Sequence, residues 1–425
     1  MDLKPIKIGL IAELTGPLSF MGIANANLTT MLVDDINAKG GLLGRPVKLV
    51  VEDGETSESV AKARTAKLID IDKVDLVVGG IYSSTRLAIK SEAVSRGRTL
   101  YIYTEQYEGQ ENDPLIFCTG PVPAQQVEPL IPWLMKSTGA KKFYLPSADY
   151  IWPHLLNKAA SRVVRANGGE IVGEEYFPLD TVDFQRTVQH IMASGAEVVF
   201  NTIVPPGLTP FLDKLHEAGF GKRGGKIICT YFDENFFNLV PSEQIEGLYS
   251  CLDYYQELDD PFGRALLCRY RDRFPGSAML TAGSGCTGHY RAIKMWEAAV
   301  NEAGTVERDA VIRGARSRQA QRGAGWPGRN GPWPAPRSHE HVYRTGTKRS
   351  LPNREEFGSD RSQRARAKRR IPTKQREVTG GVGHCSSEWR GRLDNALAIN
   401  RADGGCTSHT HASDRQIKTR YPRNT

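Results

Sequence analysis

Short apolar runs alternate with longer amphipathic runs from the first residues of the chain to about residue 312. The apolar runs lack the strict polar alternation of a sheet with one wet face, which favours strands buried on both sides. Predicted strands cover residues 7–13, 48–53, 75–80, 99–103, 141–150, 170–177, 197–204, 226–234 and 247–255. Predicted helices cover residues 19–39, 57–71, 126–138, 153–167, 183–194, 208–218, 261–273 and 283–303, with another starting at about Ser83. This alternation predicts doubly wound parallel sheets with right-handed crossovers.

The strand–helix units fall into two sets that divide near residues 119–123. We therefore predict an α/β protein of two lobes, joined by a hinge and separated by a cleft. The first lobe is predicted to cover residues 1–120 and the second lobe residues 121–248. Residues 249–312 are predicted to return the chain to the first lobe, beginning with the strand at 247–255.

Charge and composition change at about Arg313. Residues 1–312 contain 31 Lys and Arg against 39 Asp and Glu, whereas residues 313–425 contain 25 against 9. Only 10 of these last 113 residues are Leu, Ile, Val or Phe, which is too few to build a core. We therefore predict that residues 313–425 form a disordered basic tail. Its segment RSQRARAKRRIPTKQR (361–376) has the composition of a nucleic-acid patch, but we assign the tail no site and the chain no nucleic-acid partner.

Polar side chains stand where the predicted strands end, and doubly wound sheets bind ligands in the crevice at those ends. The candidate ligand-binding residues are Ser83, Ser84, Thr85, Tyr103, Glu105, Tyr150, Trp152 and Asp233. Hydroxyls at a helix start suit a carboxylate or amide oxygen, and the two carboxylates suit an ammonium group or an amide N–H. The aromatic residues would wall the pocket. Each type has a structural alternative, since hydroxyls after a Gly-Gly turn also cap helices and aromatic rings also pack in cores.

The usual catalytic motifs are absent: the chain has no GxGxxG after a strand, no GxxxxGK[ST], no GxSxG and no HExxH. Its seven cysteines show neither CxxC pairs nor zinc-like spacing, and four histidines (154, 190, 216 and 289) lie far apart. We therefore predict a binding protein rather than an enzyme, with no cofactor and no metal. No apolar run is long enough to span a membrane.

Residues 6–312 resemble the periplasmic binding proteins of the branched-chain amino acid, amide and urea group. The resemblance is carried, in order, by GLIAELTGPLSFMG with DINAKGG, EDGETS, VGGIYSSTR, YIYTEQYEG, TGPVPAQQ and SADYIWP. YEG followed by GPxPxQQ and DYIxP is most similar to the amide- and urea-binding branch. The resemblance implies a type I two-lobed fold, which closes on a small amino acid, amide or urea-like solute and presents it to an ABC permease.

Position by position, the resemblance implies that Ser83 is a hydroxyl contact in the first lobe and that Tyr103 and Tyr150 are pocket tyrosines. Trp152 falls where the amide-binding branch has another aromatic residue. Glu105 departs from the small hydroxyl residue of the amide sensors, and Asp233 lies in a segment where those proteins also use a hydroxyl. These two carboxylates predict a solute with a cationic or amino group rather than a plain aliphatic amide.

The family is normally exported to the periplasm, but the start of this chain, MDLKPIKIGLIAELTG, lacks the regions of a signal peptide. As written, the chain is expected to stay in the cytoplasm; the alternative is that its start codon has been placed downstream of a lost or missed signal. Two alternatives follow: a cytoplasmic amide or amino-acid sensor that regulates gene expression, or a non-functional frameshifted copy. A third, from another class, is an α/β hydrolase or transferase.

The tail has the features of a sequence read out of frame. Members of the family are expected to continue here with a helix, a hairpin with a pattern like Met-Asn-x-Tyr-Ile and, later, Ile-Val-Lys-Asn. With suitable codons, HEHVYR (339–344) reads Met-Asn-Met-Tyr-Ile one base later, and NREEF (353–357) reads Ile-Val-Lys-Asn in the same shifted frame. Two matches in one frame and in the expected order favour a frameshift. The frameshift would remove a hairpin at the edge of the second lobe and a third hinge crossover.

Overall fold

The computed structural model describes residues 4–256, 260–277, 284–321 and 341–344. A first sheet contains β1 (Ile6–Ala12), β2 (Val47–Asp53), β3 (Leu76–Gly79), β4 (Leu100–Tyr103) and β5 (Ile116–Cys118). Its five strands are all parallel, in the order β2-β1-β3-β4-β5. Helices α1 (Ser19–Ala38), α2 (Glu58–Lys67) and α3 (Ser83–Lys90) connect the first four strands. Because β3 and β4 are buried along their whole length, this lobe has the two covered faces that a parallel sheet needs.

A second sheet begins after α4 (Pro123–Thr138), which carries the chain away from the first. Its strands are β6 (Lys142–Ala148), β7 (Glu170–Phe177), β8 (Val198–Phe200), β9 (Lys226–Ile228), β10 (Leu248–Leu252) and β11 (His341–Arg344). Helices α5 (Ile151–Ala166), α6 (Gln185–Ala193) and α7 (Leu208–Glu217) lie between these strands. The order is β11-β10-β9-β8-β6-β7, parallel except for the antiparallel pair β10 and β11. The predicted two-lobed α/β fold is confirmed.

The strand predicted to return the chain to the first lobe belongs to the second. β10 pairs in parallel with β9, and Leu248 lies opposite Ile227. All five residues of β10 are buried, so the strand completes the core of the sheet beside it. The return therefore starts after β10, with α8 (Pro261–Arg273) and α9 (Ser284–Ala303). Leu267 of α8 and Trp296 of α9 share one buried cluster with Ile8 of β1.

The two chain crossings between the lobes are tied together by polar contacts. Arg291 of α9 pairs with Asp253, which follows β10, and donates to the carbonyl oxygen of Thr119 at 3.1 Å. Gln126 of α4 lies nearby on the first crossing. Its Nε2 is within hydrogen-bond distance of three acceptors: Gln106 Oε1 at 2.7 Å, Thr230 O at 3.1 Å and Cys251 O at 2.9 Å. These contacts make the residues around Thr119 and Asp253 the hinge of the molecule.

The predicted boundary at residue 313 falls inside a helix. α10 (Arg308–Gln321) runs beyond it, with Val311 and Ile312 buried in the first-lobe cluster. Residues 341–344 form β11 on the edge of the second sheet, so these two stretches differ from the predicted disordered tail. The rest of that tail lies outside the described residues. No helix in the described ranges is long and apolar enough to cross a membrane.

Candidate functional site

A cavity lies between the two lobes at the carboxyl ends of their strands, where ligands bind in doubly wound sheets. It has an interior volume of about 60 Å³. Its first-lobe lining is Leu18, Met21, Ile81, Tyr82, Ser83, Glu105, Gln106 and Gly285. Its second-lobe lining is Tyr150, Trp152, Val204, Pro205, Tyr231, Asp233 and Phe236.

The structure brings five of the eight candidate residues to this cavity: Ser83, Glu105, Tyr150, Trp152 and Asp233. The other three, Thr85, Tyr103 and Ser84, are not among the lining residues, and the hydroxyls of Thr85 and Tyr103 bond to the protein backbone. Thr85 Oγ1 donates to Tyr82 O at 2.8 Å, inside the first turn of α3. The Tyr103 hydroxyl donates to Ile81 O at 2.5 Å, and Tyr103 is not among the lining residues. Ser84 is half-buried on α3 outside the lining.

Ser83 is held by a buried ion pair behind the cavity. Its hydroxyl donates to Glu108 Oε2 at 2.9 Å and accepts from Arg86 Nη1 at 3.2 Å. Arg86 and Glu108 also pair directly, with side chains only 3% and 2% exposed. Burial lowers the pKa of Arg86, but the hydrogen bond to Glu108 and the electrostatic effect of nearby groups, Tyr103 and Glu108 first, together outweigh burial, and the pKa lies above its ordinary value. The orientation of the Ser83 hydroxyl is therefore set by the protein.

Two groups near the start of α3 that could bind a solute oxygen are already used by protein carboxylates. Ser83 donates its hydroxyl hydrogen to Glu108, and Ile81 donates its backbone N–H to Glu13 Oε1 at 3.2 Å. Glu13 is only 1% exposed, and this burial raises its pKa to about 7 against the opposing effect of the N–H groups that it accepts. The sequence does not show this, because Glu13 and Glu108 lie far from residue 83 along the chain.

The backbone at Glu105 is held in place by two glycines, Gly288 and Gly120, that pack directly against it. A Cβ atom on Gly288 would lie 1.8 Å from Thr104 O, and one on Gly120 would lie 2.0 Å from Glu105 O. Only glycine allows the chain to pass this close. The carboxylate itself is 3.4 Å from Asn25 Nδ2 of α1.

Asp233 enters the cavity from the second lobe at the end of the segment that follows β9. Its Oδ1 accepts from Asn235 N at 2.9 Å and its Oδ2 lies 3.1 Å from Asn235 Nδ2, so it caps the short 3₁₀ turn Glu234–Asn238. This cap orients the carboxylate, which is 5% exposed.

Aromatic rings form one wall of the cavity. The centroid of Tyr150 lies 5.3 Å from that of Tyr82 and 6.2 Å from that of Trp152, which is 6.1 Å from Tyr231. Burial raises the pKa of the Tyr150 and Tyr231 hydroxyls well above the ordinary value, so both stay neutral. Trp152 is 3% exposed, and its Nε1 has no hydrogen-bond partner among the described residues. A buried indole N–H usually has an acceptor, which makes Trp152 a candidate ligand donor.

Ten lining residues are absent from the predicted set, among them Tyr82, Gln106 and Phe236. Tyr82 and Gln106 directly neighbour the predicted Ser83 and Glu105, so a wider window at each strand end includes them. Phe236 lies in a 3₁₀ turn that no apolar period indicates. Among the described residues, no group of three or more His, Cys, Asp or Glu side chains is arranged to hold a metal ion.

The family of the chain is shown by its sequence as a whole. The family model described as "Periplasmic binding protein" matches residues 5–337. The chain belongs to the periplasmic binding protein family. Curated relatives within it are distant: Leu/Ile/Val-binding protein homolog 7 of Brucella abortus is 24% identical over 227 residues, which are 51% of this chain and 56% of the relative. Homolog 8 of the same organism is 25% identical over 273 residues, 60% of this chain and 65% of the relative.

Solved structures of other proteins show the same fold. An ABC transporter solute binding protein from R. palustris in complex with 4-hydroxybenzoate superposes with a TM-score of 0.66 at 21% identity, covering 73% of this chain and 84% of that one. The branched-chain amino acid transporter substrate binding protein LivJ from Streptococcus pneumoniae, in complex with isoleucine, gives 0.63 at 20% identity, with 73% and 88% covered. At these identities the likeness establishes the fold alone, and the matched region spans little more than half of homolog 7.

Proposed function

We propose that the chain is the substrate-binding component of an ABC transporter and holds a small amino acid, amide or urea-like solute between its lobes. The observation that carries the proposal is the shared cavity, which gathers Ser83 and Glu105 from one lobe and Trp152 and Asp233 from the other. Hydrogen-bonding groups that converge from two lobes on one cavity suit binding, which requires no reacting group.

The size of the cavity favours a solute of few atoms. A buried water needs roughly 10–15 Å³ of such space, so about 60 Å³ accommodates roughly four to six water-sized groups. Urea, short amides and the smallest amino acids have this size. A larger solute would require the lobes to stand further apart than they do here.

Closure of the lobes would enclose the solute. Among the contacts that already join the lobes across the cavity, the Tyr82 hydroxyl donates to Pro205 O at 3.3 Å, and the Phe20 ring lies 5.5 Å from that of Phe236. A solute that contacts both lobes stabilises this closed arrangement over an open one, which is a population shift. We further propose a periplasmic location, in keeping with the family, and an ABC permease as the partner that receives the closed form.

The test is a solute screen on the full chain. We expect a small amide, amino compound or urea to raise the melting temperature in a concentration-dependent manner, because a ligand that binds only the folded state stabilises it. The same solute should change the tryptophan fluorescence, and a Trp152→Phe variant should lose most of that change. If no amino acid, amide, urea or aromatic acid shifts either signal while the chain melts cooperatively, the proposal is wrong.

A further inference from the structure

We propose that Arg86 and Glu108 turn Ser83 into a hydrogen-bond acceptor toward the cavity, so that the site selects a neutral amide or urea group over a carboxylate. This inference rests on the proposed function, since it requires that the cavity bind a solute. It narrows that function to one chemical class, and it assigns the selection to two side chains that do not themselves line the cavity.

The polarity of the Ser83 hydroxyl is determined by its two hydrogen bonds. A hydroxyl has one hydrogen and two lone pairs. Ser83 gives its hydrogen to Glu108 Oε2 at 2.9 Å, and one lone pair receives Arg86 Nη1 at 3.2 Å. The second lone pair is the position that is left, and it can only accept. Because Ser83 lines the cavity, a solute bound against it meets it with an N–H or O–H group.

The pair of Arg86 and Glu108 keeps the Ser83 hydroxyl from turning round. The two side chains are 3% and 2% exposed and pair directly. If Ser83 turned its hydrogen toward a solute oxygen, Glu108 Oε2 would lose the hydrogen that it accepts, and a buried acceptor without a donor is costly. A guanidinium has donors only, so Arg86 cannot accept in place of Ser83. The pair therefore fixes Ser83 as an acceptor.

Donors of the protein surround the same space and suit a solute oxygen. Trp152 Nε1 is buried without a partner among the described residues. The Oε1 of Gln106 accepts from Gln126, which leaves the N–H groups of Gln106 for another acceptor. The backbone N–H groups of Ser83 and Ser84, in the first turn of α3, likewise have no acceptor in the part of the chain that the structure describes.

An amide or a urea meets both requirements at once. Each has a carbonyl oxygen for the donors and, on the same carbon atom, a nitrogen whose N–H can meet Ser83. A carboxylate has no hydrogen, so an oxygen would face the lone pair of Ser83. An ammonium group has donors only and leaves Trp152 Nε1 without an acceptor. The interior volume of about 60 Å³ suits solutes of this size.

Four compounds with the same number of heavy atoms test the assignment: acetamide, urea, acetate and acetone. They share a planar group and differ in what would meet Ser83, which is an N–H, an anionic oxygen or a methyl. In titration calorimetry on the full chain at neutral pH, the tighter of acetamide and urea should bind at least about tenfold more tightly than acetate and acetone. Acetone is uncharged, so its comparison with acetamide does not depend on the other charges of the lining. A smaller preference over either compound would overturn the inference.

Variants of the Ser83 partners locate the effect. In Glu108→Gln, the side-chain amide can accept from Arg86 and donate to Ser83, which releases the Ser83 hydrogen for the solute. The preference for acetamide over acetate should then fall about tenfold or more. Glu111→Gln is the matched control, because it removes a carboxylate that lies 3.9 Å from Arg86 Nε and does not bond Ser83. It should leave the preference nearly unchanged. An equal fall in both variants would show that charge sets the preference, which contradicts the inference.

Ser83→Ala provides a second test that keeps the ion pair. It removes the acceptor, so the preference for acetamide over acetone should be lost. Ser147→Ala, which removes a buried second-lobe hydroxyl outside the lining, should leave this preference unchanged. Thermal melts confirm that each variant is folded. A preference that persists in Ser83→Ala contradicts the inference.

A wider panel separates this inference from the function on which it rests. If glycine, isoleucine or 4-hydroxybenzoate binds the full chain and raises its melting temperature while acetamide and urea do not, the binding function stands and the amide assignment fails. If no compound of the panel binds, both fail.

Discussion

The Tyr82 hydroxyl of the first lobe donates a hydrogen bond to the carbonyl oxygen of Pro205 in the second lobe, over 3.3 Å. Both residues line the cavity, so the bond closes the wall around the solute position. A bond between lobes can form only when they are this close together. Tyr82 therefore contributes to the closed state as well as to the shape of the cavity.

Tyr82→Phe removes this bond and keeps the ring that packs 5.3 Å from Tyr150. A typical hydrogen bond contributes about 1 kcal/mol, so we expect solute affinity to fall about fivefold. Titration calorimetry with the solute found in the screen measures the change. Tyr176→Phe is the matched control, because its hydroxyl bonds Glu174 and Asn157 within the second lobe. If both variants lose affinity equally, the Tyr82 bond has no special part in closure.

Glu13 should make the stability of the protein fall as pH rises. Burial raises its folded-state pKa to about 7, from an ordinary value of 4.5. The folded state thus holds the proton more tightly than the unfolded chain, and the advantage is complete below about pH 4.5 and lost as pH rises through 7. The shift corresponds to about 3 kcal/mol.

Glu13→Gln removes the titration and keeps an oxygen for the Ile81 N–H. Between pH 4.5 and 8, the unfolding free energy of the variant should gain about 3 kcal/mol relative to that of the wild type. Urea denaturation at several pH values measures this difference. A difference that stays constant across the range would show that Glu13 keeps an ordinary pKa.

Variants of the buried pair Arg86 and Glu108 should change the unfolding free energy and the solute affinity in different ways. Arg86→Met leaves the Glu108 carboxylate buried without its guanidinium partner, which costs about 3–5 kcal/mol. Adding Glu108→Gln removes the unpaired charge, so the double variant should recover most of this loss. Its solute affinity should nevertheless stay below that of the wild type, because the Ser83 hydroxyl is no longer oriented. Denaturant melts and calorimetry on the same samples test both parts, and a double variant that binds normally would refute the orienting role.

Gly288→Ala tests the close approach that fixes Glu105. The new Cβ would lie 1.8 Å from Thr104 O, so the backbone before Glu105 must move. Overpacking of this kind costs about 1–3 kcal/mol, and the shifted carboxylate should weaken solute binding at least tenfold. Gly221→Ala is the control, because its Cβ would meet Glu246 O at an ordinary 3.7 Å. Unchanged affinity in Gly288→Ala would show that Glu105 tolerates displacement.

The lobes and five cavity residues could be predicted because they depend on local pattern. Apolar runs without alternation identify buried strands, and polar residues at the strand ends reach the crevice in any doubly wound sheet. β10 was assigned to the wrong lobe because a short apolar strand does not encode its pairing partner, which depends on the space beside β9. The internal use of the Ser83 hydroxyl could not be predicted, since Glu108 reaches it only through the tertiary fold.

Gln126, at the hinge, has more hydrogen-bond acceptors within reach of its side-chain amide than it has hydrogens to donate. Its Nε2 has two hydrogens and three acceptors within reach, on a first-lobe side chain and on two segments of the second sheet. One acceptor is therefore always spare. If the lobes move apart, the amide can release Gln106 and bond to Thr230 and Cys251. Both hydrogens of Nε2 then still have an acceptor. The Gln126 side chain can therefore keep both of its hydrogens bonded whether the lobes are together or apart, so this residue alone does not favour either arrangement.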